Sequence, residues 1–120
     1  MVSDKHNKIY DGLVEYLLGI YPKLYSGTEY DENKPKFPYM YFFQVDAPTR
    51  LTTLSNTEDG VNLVFQIEVY SNKGEYEARK IANDIRAYMI QDGFHCRTFM
   101  PIKTGSSVSR FVTRFDRLDV

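Results

Sequence analysis

The sequence predicts a single α+β domain, residues 1–120, with element order α-β-β-α-β-β and both helices on one face of a mostly antiparallel sheet. Three features predict it. Two segments carry apolar residues at helical spacing, and a third, Val61 to Tyr70, alternates apolar with mostly polar residues as a half-buried strand does. The other apolar runs are short, aromatic or β-branched, and bounded by Gly, Pro, Asn and Ser.

The first helix is expected from about Asn7 to Tyr21. Ile9, Leu13, Tyr16, Leu17 and Ile20 fall on one face, and Pro22 ends the pattern. Ser26 to Pro38 is polar, contains Gly27, Pro35 and Pro38, and reads as a surface loop. Tyr39 to Val45 is almost wholly aromatic or branched, so it reads as a central strand covered on both faces. Ala47 to Gly60 then forms a connection of roughly 14 residues, longer than an ordinary hairpin loop and of a length that is often functional. In Val61 to Tyr70, the residues Val61, Leu63, Phe65, Ile67 and Val69 share one face, turned to a core. The other face carries Asn62, Val64, Gln66, Glu68 and Tyr70, and meets water or a partner.

Asn72 and Glu75 have the spacing of a capping box at the start of the second helix. Ala78, Ile81, Ala82, Ile85, Tyr88 and Met89 follow at a period near 3.6, which puts Ile81 and Ile85 against Phe65. Glu75 and Arg79 make an i,i+4 pair, and Gly93 suits a left-handed helix end. Phe94 to Ile102 and Ser109 to Leu118 read as the last two strands, joined by the turn Lys103 to Val108.

Composition bounds the function. Net charge is −1, which argues against a general polyanion binder, and the mildly basic end after Gly93 (five basic residues against two acids) is too weak for a nucleic-acid footprint. Cys96 is the only cysteine, so an internal disulfide is excluded. No run approaches the ~20 apolar residues of a membrane helix. The start, Met1 to Lys5, lacks a signal-peptide pattern, and the expected location is cytoplasmic. Ten tyrosines and eight phenylalanines exceed what so small a domain hides, so some rings are expected at the surface or along half-buried strands.

No catalytic constellation is legible. His95 and Cys96 are adjacent, and neighbours on a strand point to opposite faces, so they do not make a nucleophile and its base. His6 and His95 have no partners at metal-ligand spacing. Lys103-Thr104-Gly105-Ser106-Ser107 lacks the spacing of a phosphate loop and opens no helix. Arg110 and Arg114 share a strand face with Val112 and Asp116, opposite Phe111, Thr113 and Phe115. Two arginines four apart suit an acidic partner, and equally suit a solvated face or inter-strand pairs with Glu68 or Asp116.

From about Ile9 to Leu118 the chain resembles the tail-terminator, or tail-completion, proteins of long-tailed bacteriophages. The resemblance rests on the amphipathic first helix and on Phe37-Pro38-Tyr39-Met40 after a polar loop. It continues with Phe65-Gln66-Ile67-Glu68-Val69-Tyr70-Ser71, a helix with Glu77-Ala78 and Ile81-Ala82, and the closing Arg114-Phe115-Asp116. The Ala47–Gly60 connection has no residue-by-residue match. The resemblance implies a homo-oligomeric ring, usually a hexamer, that caps the tail tube, stops its growth and offers a docking surface to the head connector. It implies no catalysis and no cofactor, a place in the host cytoplasm during assembly and then in the virion tail, and neither membrane nor sequence-specific nucleic acid as a partner. The candidate contact residues are Arg50, Thr52, Asn56 and Asp59 in the long connection, expected to order on contact with a neighbour, and Arg110 and Arg114 on the last strand. The alternatives are another head–tail connector component, a small-molecule-binding or enzymatic α+β domain, and a host regulatory module that binds nucleic acid through the basic end.

Overall fold

The computed structural model describes residues 2–30, 33, 35–45 and 61–119. Helix α1 spans Val2–Ile20, β1 Tyr25–Gly27, β2 Tyr39–Val45, β3 Val61–Ser71, α2 Glu75–Gln91, β4 His95–Ile102 and β5 Ser109–Asp119. The expected fold class holds, with one strand added. Tyr25–Gly27, of which the sequence places Ser26 and Gly27 in the polar loop, pairs in parallel with the start of β2 and makes a fifth strand. A three-residue strand is too short to carry an alternating pattern, so nothing in the local sequence marks it.

The sheet order is β1-β2-β3-β5-β4, antiparallel except for the β1–β2 edge. The central strand is therefore β3, whose full length pairs with β5. Strand β2 lies one place from the edge, yet Tyr39 to Phe42 are buried on both faces, as its composition requires.

Both helices pack on one face. Ile9, Leu13 and Leu17 of α1 join Ala78, Ile81, Ala82, Ile85 and Met89 of α2 in one core with Met40, Phe42, Phe65, Ile67, Val69, Phe111 and Phe115 of the sheet. Phe65, Ile81 and Ile85 belong to this core, as the two periodicities predict. Fully burying one such side chain contributes about 1.5–3 kcal/mol. Tyr16 and Ile20, expected on the buried stripe of α1, are exposed instead. Tyr16 packs beside Tyr88 of α2, with ring centroids 5.2 Å apart, while Leu24 beyond Pro22 enters the core. Leu17 is still fully buried, Leu18 and Ile20 are exposed, and Tyr21 and Leu24 bring the chain back against the core on either side of Pro22.

The ends of α2 differ in how the sequence reads them. The Asn72–Glu75 capping box does not form, because the helix begins later: Gly74 is the N-cap, at φ 107°, with no side-chain cap. Ser71 serves the turn instead, accepting from the Lys73 amide at 3.0 Å and donating its hydroxyl to Glu77. At the other end Gly93 (φ 92°) takes the left-handed position as expected. The Gly93 and Phe94 amides donate to Ile90 and Met89 carbonyls, the paired bonds of a Schellman ending. The Glu75–Arg79 pair is present at 2.8 Å, with both side chains half exposed.

Candidate interaction face

Alternation along the strands gives the sheet a second face with no helix on it. Its composition follows from register. One row across the sheet is Tyr25, Tyr39, Tyr70, Arg110 and Ile102; the next is Tyr41, Glu68, Val112 and Met100; the third is Phe43, Gln66, Arg114 and Thr98. The face therefore grades from aromatic at β1 and β2, through a polar ladder on β3 and β5, to aliphatic on β4.

The aromatic side is a continuous ring cluster. Tyr39 and Tyr70 stack with centroids 4.8 Å apart, and Tyr41 meets Tyr39 and Tyr70 edge-on. Two residues from the segment before β2 lie over them. Phe37 contacts Tyr39 at 5.1 Å, and Tyr30 contacts Tyr41 at 5.0 Å and Phe43 at 4.8 Å. Such ring pairs contribute about 0.5–1.5 kcal/mol each beyond the area they bury.

Glu68 sits at the centre, only 1% exposed although no helix covers it. Tyr30 and Tyr70 donate their hydroxyls to Oε1 at 3.0 and 2.8 Å, Gln66 donates to Oε2 at 2.6 Å, and Arg110 pairs with Oε2 at 3.1 Å. Burial alone pushes this carboxyl upward in pKa, but the hydrogen bonds from Tyr70, Arg110, Gln66 and Tyr30 outweigh it and hold Glu68 below the usual carboxylate range. The Tyr30 and Tyr70 phenols shift upward, first by burial and then by their bonds to this anion, so both stay protonated. Arg110 is held charged: burial opposes this, and Glu68 more than compensates. The Nε of Arg110 is buried without a hydrogen-bond partner among the described residues, which costs about 1–3 kcal/mol.

Of the candidate contact residues, Arg50, Thr52, Asn56 and Asp59 lie outside the described residues, as does the long connection that holds them. Arg110 and Arg114 share the helix-free face as their spacing predicts. Arg110 takes the inter-strand option and pairs with Glu68, while Asp116 pairs with Arg97 at 2.9 Å. Arg114 stays exposed and donates to Gln66 at 2.6 Å. Arg117, on the helix side, pairs with Asp92 and lies over the Phe94 ring. Three of the basic residues after Gly93 are thus ion-paired, and the basic end is largely neutralised.

The ring cluster is not among the candidate contact residues, and Glu68 is there only as one of two inter-strand partners for Arg110 and Arg114. The signal was available: Tyr39, Tyr41 and Phe43 recur every second residue, and Glu68 is a lone acid between Ile67 and Val69. His95 is exposed and Cys96 half-buried, its thiol pushed up in pKa first by burial. Among the described residues no three His, Cys, Asp or Glu side chains come together as a metal site needs, and no helix is long and apolar enough to cross a membrane.

No protein-family model matches the chain, and no curated protein is significantly similar to it.

Proposed function

We propose that the chain is a structural assembly protein of a long-tailed phage, a ring that ends the tail tube and presents a docking surface to the head. The observation that carries the reading is the helix-free face, whose rows hold four tyrosines, a phenylalanine, a methionine and two arginines, residue types enriched in protein contacts. The element order along the chain, which resembles that of tail terminators, supports it. A tube of stacked rings grows by a head-to-tail contact that does not close on itself, so growth stops only when a subunit matches the tube on one side and refuses another ring on the other. In this reading the partners are further copies of the chain, the tube protein and a head-connector protein, met in the host cytoplasm and kept in the virion tail. Chemistry at a cofactor plays no part in it.

The test is electron microscopy of particles assembled without this chain. Tubes of unlimited length that fail to join heads are the expected result. Tails of defined length that still mature into infectious particles overturn the proposal, as does turnover of a metabolite by the purified protein. Tails of normal length that lack heads point instead to another head–tail connector role.

A further inference from the structure

Glu68 has four partners, and one of them is unlike the rest. Gln66, Tyr70 and Arg110 lie on β3 and β5, where strand pairing holds their backbones in register. Tyr30 reaches Glu68 from outside the strands, 38 residues away in the chain, and is 62% exposed. Among the described residues its side chain is attached by the 3.0 Å bond to Oε1 and by ring contacts with Tyr41 and Phe43. With Tyr30 lifted, Glu68 keeps Tyr70 on Oε1 and both Gln66 and Arg110 on Oε2, so no buried charge is left bare. Losing Arg110 instead would leave the carboxylate without its cation. Tyr30 is therefore the partner that leaves at least cost.

Tyr30 also stands beside two indentations. One, of about 340 Å³, is lined by Tyr39, Tyr41 and Tyr70; the other, of about 550 Å³, is lined by Tyr10, Tyr25 and Thr28. Among the described residues Tyr30 alone lines both. The rings it contacts are covered although no helix lies over them: Tyr41 is 4% exposed and Phe43 is half-buried. A side chain as exposed as Tyr30 changes rotamer without moving its backbone.

We infer that the Tyr30 side chain is a gate. Latched to Glu68, it divides the two indentations and covers Tyr41 and Phe43. Swung out about its χ1 bond, it joins them in one groove along the aromatic side of the sheet. The latch is a hydrogen bond to an ionised carboxylate, the stronger kind, so the closed form dominates. The gate is a property of the chain alone and holds whatever docks on the face.

The experiment is NMR on the intact chain and on Tyr30→Phe, which keeps the ring and removes the latch. In the parent, the Tyr30 Hα–Hβ couplings should report one χ1 rotamer, with nuclear Overhauser contacts to the rings of Tyr41 and Phe43. Tyr30→Phe should raise the open-to-closed ratio at least about tenfold, read as averaged couplings and weakened ring contacts. A neutral gadolinium chelate, added as a probe of solvent exposure, should then relax the Tyr41 ring protons more strongly in the variant. The Phe65 and Phe111 rings, both fully buried, should stay protected and so check that the variant is folded. The gate is overturned if Tyr30→Phe keeps the parent's couplings and ring contacts, if Tyr30 of the parent already averages over rotamers, or if the Tyr41 ring gains no exposure in the variant. Each of these results leaves the tail-length assay untouched.

Discussion

The two faces of one sheet are held in different ways. On the helix side, Phe65, Ile67, Phe111 and Phe115 lie under α1 and α2, and stability there comes from apolar area removed from water. On the other side the same strands bury a carboxylate, Glu68, under two tyrosines and an arginine. A buried ion pair adds little net stability, because desolvation offsets much of the attraction, but breaking one half of it is costly. The helix side therefore sets whether the chain folds. The open side sets how its surface is shaped, since the Glu68 network fixes Tyr30 and Tyr70 in place.

The largest effect should come from mixing the two chemistries. Ile85→Asp places an unpaired charge in the helix-covered core and should cost about 4 kcal/mol or more, enough to abolish cooperative thermal unfolding. An unchanged unfolding midpoint would show that α2 is packed in another register.

Next comes the open face. Arg110→Ala leaves Glu68 buried with only its neutral donors and should cost roughly 2–3 kcal/mol, less than a fully buried pair because Arg110 is itself 29% exposed. Arg110→Glu should be worse, since it sets two carboxylates side by side, so charge reversal there does not spare the fold. The pH dependence follows from the same group. The folded pKa of Glu68 is depressed, so its contribution is present above the unfolded carboxylate value of about 4.3 and is lost as pH falls through the folded one. Glu68→Gln should flatten this acid limb in a series of melting curves. A variant whose limb is as steep as the parent's would mean that other carboxylates carry it.

Gly93→Ala tests the α2 ending. The left-handed φ of 92° penalises any Cβ, and here one would also lie 3.3 Å from the Arg117 Cδ. A loss of about 1–2 kcal/mol by chemical denaturation is expected.

The smallest effect on stability should be that of Arg114→Glu, within about 0.5 kcal/mol, because the side chain is exposed and bonds only to Gln66 among the described residues. Under the proposed function it should nonetheless disturb tail completion, scored as infectious particles. Full infectivity of the variant would remove Arg114 from the contact.

Sequence by itself determined what repeats along the chain. The 3.6-residue period placed Ala78, Ile81, Ala82 and Ile85 in the core, the period of two sorted Phe111, Thr113 and Phe115 from Arg110 and Arg114, and Gly93 marked a helix end. Each is a local rule, fixed by backbone geometry before any distant residue is known. Tertiary structure alone decided what depends on who lies opposite whom. The capping box gave way because the helix begins only at Glu75, after the Gly74 N-cap, so Asn72 lies outside the end it would cap. Three-residue β1 exists only as an addition to the edge of β2. Glu68 lies on the strand face expected to meet water or a partner, with Arg110 as one possible pair, and it becomes a buried carboxylate with four partners because Tyr30, 38 residues away, joins Gln66, Tyr70 and Arg110 around it. Long-range partners of that kind leave no period in the sequence, since the chain distance between them carries no geometric information until the sheet has formed.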